Sequence, residues 1–570
     1  MLLALVAAVA FGAVVARLAV VQVAGAEQYR ELGMDQRVRR VGLAAERGGI
    51  FDRNGLALAV SSPAETVWAD PRVIDDPIGY AHALAPVVGV DEASLAERLA
   101  ATDKSFVYVA RQVDDVTVSR VRSLELPGID FVPESRREYP AELLAAPVLG
   151  FVGTDNNGLA GLESQYDELL TGTPGELVVE RDPRGREIPN GNRQVTVPER
   201  GSDIVLTLDE AIQYEAEQAL VEQVERADAA GGTAVVLDVD SGDILALASV
   251  TGGSDGARAS SSREHNRSVT DVYEPGSTNK VITVAGAIEE GLVGPDTHLS
   301  VPMTTSLGGF TFEDHDPHAD AWWSVSDILR ESSNVGTIMI GGKLGREHFD
   351  HYVRAFGFGS TTGLGFPGEP PGIILPLDQY TDSSMGSMPI GNGLAVTALQ
   401  MVNVYATIAG AGSQRTPRLV AATIDEDGTR VDMPASEPRE VISPGTAATM
   451  TTMLQQVVAE GTGQNAAVPG YPVAGKTGTA RKPPYDEPPY QYVASFAGFA
   501  PADNPRLAAI VVLDEPSSAI YGGEVAAPAF ARIMQFALRQ ERVASSVPVQ
   551  GAVPSATTGT SNVTASTPPE

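Results

Sequence analysis

The stretch from Glu274 to Lys280 sets a serine hydroxyl and a lysine amine three residues apart, where a turn leads into an apolar segment. A helix is predicted from there through Glu290, with Gly291 in a left-handed cap. The apolar face of this helix is formed by Val281, Ile282, Val284, Ala285 and Ile288. Residues three apart share a helix face, so the Lys280 amine can reach the Ser277 hydroxyl and act as its base once burial lowers its affinity for protons.

Composition limits the classes of function that the chain can have. Its 570 residues suffice for about two or three domains with large apolar cores. The net charge is −33, from 73 acidic and 40 basic residues, which opposes binding to nucleic acid or to an anionic membrane surface. We therefore expect no nucleic-acid partner. The absence of cysteine excludes disulfides and thiolate chemistry.

Two groups of histidines have residue types found in metal sites. The denser group, Asp314 to His318, lacks a third ligand in its local spacing, and a loop before Trp322 explains it equally well. The second group, His348 and His351, is placed on a solvated helix face. Neither group predicts a metal site, and we expect no cofactor.

The segment from Leu2 to Val23 is almost wholly apolar and long enough to cross a bilayer at ~20 residues per span, although Arg17 interrupts it. It is either a retained anchor, residues 1–23, or a signal peptide cut after residues 24–26; we favour the anchor. Basic residues follow the segment and do not precede it, so the positive-inside rule places the bulk of the chain in the cytoplasm. We expect the opposite orientation, with the start assigned too far downstream.

Residues 24–203 are predicted to form a β-rich domain without a titratable constellation. Asn54-Gly55 between alternating apolar residues predicts a tight hairpin, and strands are expected within 150–153 and 158–163. The domain is interpreted as a spacer that positions something else. At the other end of the chain, residues 543–570 lack aromatic side chains and are predicted to be disordered.

Residues 204–542 contain strands that precede the serine-bearing helix, which predicts an α/β (α+β) fold with a mixed antiparallel sheet flanked by helices. A helix capped by Asp209 is expected to run to about Ala227. The other predicted elements are a hairpin over 232–248, helices over 392–409 and 444–458, and strands over 473–480, 492–499 and 507–513.

Three short motifs occur in order along this domain: Ser277-x-x-Lys280, Ser332-x-Asn334 and Lys476-Thr477-Gly478. Each lies in a fitting context, namely a helix start, a loop between helices and a strand. Each has an ordinary explanation alone, because any long chain contains such triplets, but their joint order is specific. Together they are the motif set of the penicillin-recognising serine acyltransferases.

The chain resembles the class B penicillin-binding proteins nearly end to end, specifically the division-type peptidoglycan D,D-transpeptidases. The resemblance is carried by the segments Arg47–Ala59, Arg137–Pro140, Gly158–Glu163, Glu274–Lys280, Ser332–Gly336, Ala474–Ala480 and Tyr521–Pro528. It implies one N-terminal transmembrane helix, a pedestal of the dimerisation type over residues 24–203, and a transpeptidase domain over residues 204–542.

The resemblance also implies catalytic roles. Ser277 would attack the carbonyl of the penultimate D-alanine of a stem peptide, Lys280 would take its proton, and terminal D-alanine would leave. Ser332 would relay a proton to the leaving nitrogen, and Lys476 would support Ser332 electrostatically. Asn334 would hold the substrate amide.

The third motif would bind the substrate. Thr477 and Thr479 would hold its carboxylate, and Gly478 would let the strand run close to it. The backbone N–H groups of Ser277 and Thr479 would donate to the oxyanion. An amine of a neighbouring stem peptide would then resolve the ester.

The implied substrates are stem peptides and lipid-linked precursors, with β-lactams as further ligands. Because no glycosyltransferase-like region precedes the pedestal, a polytopic membrane glycan polymerase is the expected partner, with other division proteins. The enzyme is expected in the cell membrane as a single-pass protein with its catalytic domain outside the cytoplasm. One departure from the family pattern is Asn279, where an apolar residue, often phenylalanine, commonly stands.

Other functions fit some of these features. The elongation-specific class B transpeptidase carries the same three motifs. A β-lactam sensor acylated once, or a scaffold without acyl chemistry, would also use this fold, although no signalling domain is visible. A β-lactamase has no use for a large pedestal.

Overall fold

The computed structural model describes residues 1–24, 38–180, 188, 191, 193–253, 259–263, 265–485 and 488–546 of the chain. The predicted disordered tail lies outside the described residues from position 547 onward. Two of the three residues of the small-residue cleavage pattern, 25 and 26, also lie outside them.

The chain begins with the helix Leu2–Ala19, which continues as a π-helical turn over Val20–Ala24. Leu2–Gln22 has a mean hydropathy of 2.4, and none of its most apolar stretch is buried against the rest of the protein. Its length and composition fit a single membrane crossing, and they also fit a signal sequence.

The pedestal combines short sheets with helices. Its strands are Val38–Leu43, Ile50–Phe51, Ala57–Ala69, Val107–Val113, Ile129–Glu138, Gly175–Glu180 and Arg193–Thr196. Its helices are Pro71–Val73, Pro77–Val88, Glu92–Leu99, Asp115–Ser123, Ala146–Leu149, Gly161–Gln165 and Asp167–Thr171. The predicted hairpin at Asn54-Gly55 is confirmed, with Gly55 at φ +86° between paired strands.

The strands predicted within 150–153 and 158–163 were wrong. A single bridge joins Val152 to Gly158, and a helix begins at Gly161. The glycines serve close backbone contacts there, because a Cβ on Gly158 would lie 1.9 Å from the Glu163 carbonyl oxygen. The segment folds tightly around Glu163 and so has no extended course.

One sheet connects the pedestal to the following domain. Ile50–Phe51 pairs in parallel with Asp203–Leu206, which pairs antiparallel with Val420–Ile424. Ile50–Phe51 also pairs with Ala57–Ala69, which extends into the pedestal beside Ile129–Glu138. The two regions therefore share backbone hydrogen bonds at their junction.

The second domain is built on a five-stranded sheet in which every pair is antiparallel. Its strand order is Ile244–Thr251, Gly231–Asp238, Leu507–Asp514, Tyr492–Ala500 and Ala474–Arg481. Ala474–Arg481, here called the edge strand, therefore has one free side. The strand residues alternate between two cores, with Val493 and Phe499 in one and Ala494 and Phe496 in the other.

Helices cover both faces of this sheet, which confirms the predicted fold class. Glu210–Ala227 and Ala527–Gln540 lie on one face, and Lys280–Glu289, Ala398–Ala409 and Pro444–Ala459 lie on the other. The remaining helices are Arg267–Thr270, Gly276–Asn279, Val325–Arg330, Asn334–Ala355, Leu377–Gln379, Asp382–Ser387, Met388–Ile390, Gln464–Ala466 and Gly522–Val525. The remaining strands are His298–Val301, Thr304–Leu307, Phe310–Glu313, Ala321–Ser324, Ser413–Gln414, Arg430–Asp432 and Arg439–Glu440.

Most predicted elements of this domain are confirmed, including the Asp209 cap, whose carboxylate accepts from the Ala211 and Ile212 N–H groups. The helix predicted over 392–409 was too long, because it begins at Ala398. Thr397 and Gln400 form a reciprocal capping box that fixes this start.

Candidate active site

Ser277 lies in a 3₁₀ turn, Gly276–Asn279, that leads directly into the helix Lys280–Glu289. This confirms the predicted helix, and Gly291 beyond it has φ +66°. A close crossing of two backbones holds the turn: the Gly276 N–H donates to the Gly391 carbonyl at 3.1 Å. A Cβ on Gly391 would lie 2.0 Å from the Gly276 carbonyl oxygen, and Gly276 has φ +54°, so both positions require glycine. The serine itself is half-buried.

Lys280 joins the first motif to the second. Its side chain is fully buried, and its Nζ donates to the Ser332 carbonyl at 2.5 Å, to Asn334 Oδ1 at 2.8 Å and to Ser332 Oγ at 3.3 Å. The spacing had predicted contact with Ser277, but among the hydrogen bonds of the described residues none joins Lys280 Nζ to Ser277 Oγ. A carbonyl and an amide oxygen are better acceptors than a hydroxyl, and both lie within reach.

The second motif occupies the turn before the helix Asn334–Ala355. Ser332 has φ +60°, a left-handed backbone that is strained for a residue with a side chain. Ser333 caps the helix by accepting from the Gly336 N–H at 2.8 Å. Asn334 is half-buried, and its Nδ2 donates to the Glu313 carbonyl at 2.9 Å.

Asp314 holds this turn in place through hydrogen bonds, a role that the sequence analysis did not predict. It is 5% exposed and accepts from Ser333 Oγ at 2.7 Å and from the Val335 N–H at 2.9 Å. His318 Nε2 lies 2.9 Å from the same carboxylate. The Asp-x-x-x-His spacing that resembled metal ligands was therefore the available signal, since it marks a pair that supports the second motif.

The third motif lies on the edge strand, as predicted. Lys476 is fully buried, and its Nζ lies 3.4 Å from the Thr477 carbonyl and 3.3 Å from Thr477 Oγ1. Thr477 Oγ1 also contacts Thr462 Oγ1 at 2.9 Å, a partner that the motifs did not indicate. Thr479 Oγ1 accepts from the Gly522 N–H at 3.3 Å.

Gly478 is required for the strand to pass the serine turn. A Cβ there would lie 2.4 Å from Ser495 Oγ, 2.8 Å from the Pro275 carbonyl oxygen and 3.0 Å from Thr278 Cγ2. The resemblance implied that glycine leaves room for substrate. The described contacts give it a further reason, because the protein's own backbone fills the space that a side chain would need.

The two buried lysines have lowered pKa values. The pKa of Lys280 falls well below its usual range because of burial and because of the neighbouring Lys476 charge, while Asp314 opposes the shift. Burial lowers the pKa of Lys476 to about 7. Two ammonium groups in one dry site disfavour each other, so the site favours a neutral amine at ordinary pH. A neutral lysine has a lone pair that can accept a proton from a hydroxyl.

Asn279, the departure from the family pattern, ties the serine helix to a crossing segment. It is fully buried, and its Nδ2 donates to the Met388 carbonyl at 2.9 Å. One turn later, Thr283 Oγ1 donates to the Pro389 carbonyl at 2.8 Å. An amide at position 279 therefore supplies a hydrogen bond that an apolar residue would lack.

The geometry brings together a half-buried hydroxyl at a helix start, a buried amine with a lowered pKa and a second serine within reach of that amine. The edge strand, whose outer side pairs with no other strand in the described part of the chain, runs beside them. This set can perform nucleophilic acyl transfer.

Comparison with known proteins places this chemistry in a family. The family model described as Penicillin binding protein transpeptidase domain matches residues 232–535, and the model for the Penicillin-binding Protein dimerisation domain matches residues 43–206. Penicillin-binding protein PbpB of Mycolicibacterium smegmatis is 35% identical over 544 residues, covering 88% of this chain and 83% of that protein. Peptidoglycan D,D-transpeptidase FtsI of Escherichia coli is 34% identical over 534 residues, covering 92% and 88%.

Solved structures agree. A peptidoglycan synthetase from Bifidobacterium adolescentis has a TM-score of 0.73 at 30% identity, covering 90% of this chain and 98% of that one. Penicillin binding protein 3 from Mycobacterium tuberculosis, complexed with ampicillin, has a TM-score of 0.69 at 32% identity, with coverages of 90% and 98%. The fold and the site thus define a penicillin-recognising transpeptidase with a dimerisation-type pedestal. The chain belongs to the class B penicillin-binding proteins.

Proposed function

We propose that the protein is a membrane-anchored serine D,D-transpeptidase that cross-links peptidoglycan stem peptides during cell division and is acylated by β-lactams. The observation that carries this proposal is the contact of buried Lys280 with both Ser332 and Asn334, beside the half-buried Ser277. The names of the PbpB and FtsI relatives support the same activity.

In the acylation step, Ser277 Oγ attacks the carbonyl carbon of the penultimate D-alanine while its proton passes to the Lys280 amine. The backbone N–H groups of Ser277 and Thr479 donate to the oxyanion, each worth ~3 kcal/mol of transition-state stabilisation. The C–N bond then breaks, and Ser332 relays the proton to the departing nitrogen of terminal D-alanine. An ester on Ser277 remains.

Substrate positioning falls to the groups around the serine. Asn334 holds the amide of the stem peptide, and Thr477 and Thr479 hold its terminal carboxylate. Lys476 keeps a positive potential near Ser332. An amine from a neighbouring stem peptide attacks the ester carbonyl and gives a proton to Lys280. The C–O bond to Ser277 then breaks, Ser277 Oγ takes the proton back from Lys280, and the new amide completes the cross-link.

We assign residues 1–23 to the anchor, 24–203 to the pedestal, 204–542 to the catalytic domain and 543–570 to a tail. The apolar helix Leu2–Ala19 supports single-pass insertion in the cell membrane. The catalytic domain lies outside the cytoplasm, because the proposed cross-linking of peptidoglycan takes place there. A polytopic glycan polymerase supplies the glycan chains from lipid-linked precursors, together with other division proteins.

Reconstitution tests the activity. The full chain is incorporated into vesicles with a glycan polymerase and lipid-linked precursor, and digested product is analysed by mass spectrometry. We expect D,D-cross-linked dimers that disappear with Ser277→Ala or with added ampicillin. Uncross-linked glycan from the wild-type protein, under conditions where a known transpeptidase cross-links, would contradict the proposal.

The elongation-specific transpeptidase remains the second candidate, because it has the same three motifs. A fluorescent fusion distinguishes the two. Enrichment at division sites is the expected result, and a signal along the side walls that is absent from division sites would assign the protein to elongation.

A further inference from the structure

A cavity of about 400 Å³ lies in the catalytic domain, apart from the candidate active site. One wall is formed by the end of the helix Asn334–Ala355 and the loop that follows it, and a second by the helix Ala398–Ala409. The paired strands Ser413–Gln414 and Arg439–Glu440 contribute to a third. None of the described residues that line it belongs to the three motifs, so the acyl transfer proposed above does not use this space.

Three arginines line this cavity, and two of them have no carboxylate partner among the described residues. Arg354 is neutralised, because its Nε donates to both carboxylate oxygens of Asp350, at 2.9 Å and 3.0 Å. Arg415 and Arg439 donate instead to main-chain carbonyl oxygens, at 2.8 Å and 2.6 Å. The cavity thus presents two positive charges without a negative partner, in a chain whose net charge is −33.

Arg415 and Arg439 are neighbours in the fold. Gln414, which precedes Arg415, pairs with Arg439 in the strand register and also accepts from the Arg439 side chain. In the described part of the chain, Arg415 donates only through Nη1 and Arg439 only through Nη2, so their other N–H groups are available. A guanidinium can bind a carboxylate or a phosphate through two parallel N–H donors. This pair is therefore suited to an anionic group.

Other polar side chains line the same cavity and are not paired with the described residues. Asn403 is half-buried, and its side-chain amide makes no hydrogen bond with them. The hydroxyls of Ser360 and Thr361 make none either, and the exposed Glu437 carboxylate has no ion pair in that part of the chain. An inorganic anion would leave most of these groups unused, whereas the hydroxyl groups of a sugar can donate to and accept from them.

We propose that this cavity binds an anionic sugar, that is, a sugar that carries a phosphate or a carboxylate. The anionic group lies between Arg415 and Arg439, and the sugar hydroxyls bind to Asn403, Thr361 and Glu437. A single anionic group matches the two guanidinium groups, whereas the net charge of the chain opposes the binding of a long polyanion. The inference does not depend on the proposed transpeptidase reaction, because the two sites share no residue of the three motifs.

Isothermal titration calorimetry of the full chain in detergent micelles tests the inference with four probes: glucose 1-phosphate, glucuronate, glucose and inorganic phosphate. We expect at least one of the two charged sugars to bind with a Kd of about 1 mM or tighter, and about tenfold or more tighter than both glucose and inorganic phosphate. The charged sugar that binds more tightly identifies the preferred anionic group. Binding of neither charged sugar in this range, or equal binding of inorganic phosphate, would overturn the inference.

Variants assign the binding to this cavity. Arg415→Gln and Arg439→Gln should each weaken binding of the charged sugar by about tenfold or more. Arg430→Gln is the matched control, because it removes an exposed arginine that pairs with Asp432 outside the cavity, and it should leave the affinity unchanged.

Asn403→Asp is the second test, and it decides the question if the arginine variants do not fold. It keeps the shape of the side chain, sacrifices no hydrogen bond to the described residues and places a negative charge beside the anion, so it should also weaken binding. A urea denaturation curve checks that each variant is folded. Unchanged affinity in the folded cavity variants would show that the sugar binds elsewhere and would overturn the inference.

Discussion

The pedestal and the catalytic domain each contain a cluster of buried charged side chains, and these two clusters are built in opposite ways. In the pedestal, Glu163 is fully buried and each of its carboxylate oxygens accepts from one arginine at 2.7 Å, Oε2 from Arg47 and Oε1 from Arg137. Arg47 also donates to Asp167 at 2.6 Å and to the Asn156 carbonyl at 3.0 Å. Charges here cancel within a dense hydrogen-bond network.

In the catalytic domain, Lys280 and Lys476 are equally buried, but their hydrogen bonds go to carbonyl, amide and hydroxyl oxygens. Asp314 opposes the lowering of the Lys280 pKa, but its effect is weaker than those of burial and of Lys476. Guanidinium groups keep their protons, whereas a lysine amine can lose one. The paired charges of the pedestal therefore hold segments of the chain together. The incompletely compensated lysines of the catalytic domain are instead able to take part in proton transfer.

The largest expected effect is on the rate of acylation, without a loss of folding stability. Lys280→Met removes the base and should lower the rate of acylation by penicillin about 10²–10⁴-fold. The free energy of unfolding should not fall, because an incompletely compensated buried amine is replaced by an apolar side chain of similar length. Stopped-flow acylation and urea denaturation measure the two quantities. Lys343→Met, an exposed lysine, is the control, and near-normal acylation by Lys280→Met would contradict the role of Lys280 as base.

A change in the pedestal cluster should lower folding stability and leave the rate of acylation unchanged. Glu163→Gln leaves two buried arginines with too little negative charge and should destabilise the pedestal by about 3–5 kcal/mol. Acylation per folded molecule should stay near the wild-type rate. Arg136→Gln breaks the exposed pair with Glu138 and should cost less than about 1 kcal/mol. A Glu163→Gln protein of unchanged stability would show that the network does not join the pedestal segments.

Stability should depend on pH through the catalytic cluster. Lys476 has a folded-state pKa of about 7, below its usual 10.5, so the unfolded chain binds more protons between these values. The free energy of unfolding should therefore rise with pH across that window, by up to about 1.4 kcal/mol per pH unit for this group, and should fall as pH drops to 7. Denaturation of wild type and Lys476→Met at pH 7 to 10 measures the difference. An identical slope in both proteins would refute the lowered pKa.

The smallest effect concerns backbone strain at Ser332. Because its φ is +60°, Ser332→Gly should be about 1 kcal/mol more stable than Ser332→Ala, which lacks the same hydroxyl. Both should acylate more slowly than wild type, by similar factors. Urea midpoints that do not distinguish the two variants would show that the turn is unstrained.

The residues of the catalytic cluster could be predicted from the sequence, because the chemistry of the site needs particular residue types. The motif order predicted one site built from three segments, and Lys280 does meet Ser332 across 52 residues. The contact expected from the local spacing, between Lys280 and Ser277, is not among the hydrogen bonds of the described residues. The serine helix and the Asp209 cap could be predicted for a different reason, because caps and helix faces are set by residues near in sequence. The start of the helix at Ala398 could also have been read from the capping box at Thr397 and Gln400.

The buried arginine–glutamate cluster of the pedestal could not be predicted from the sequence in this way. Arg47 and Glu163 are 116 residues apart, and an arginine or a glutamate is ordinarily a surface residue, so nothing local indicates their burial. The Asn279 contact with Met388 spans 109 residues and depends on how two segments cross. Such contacts arise from tertiary packing alone.

Labelling with a fluorescent penicillin, followed by peptide mapping of the adduct, tests whether Ser277 is the nucleophile. We expect one stable adduct, on Ser277, in the wild-type chain and no adduct in Ser277→Ala. Folding of the variant is checked by its urea denaturation curve. An adduct on another residue, or persistent labelling of a folded Ser277→Ala protein, would contradict the assignment of Ser277 as the nucleophile.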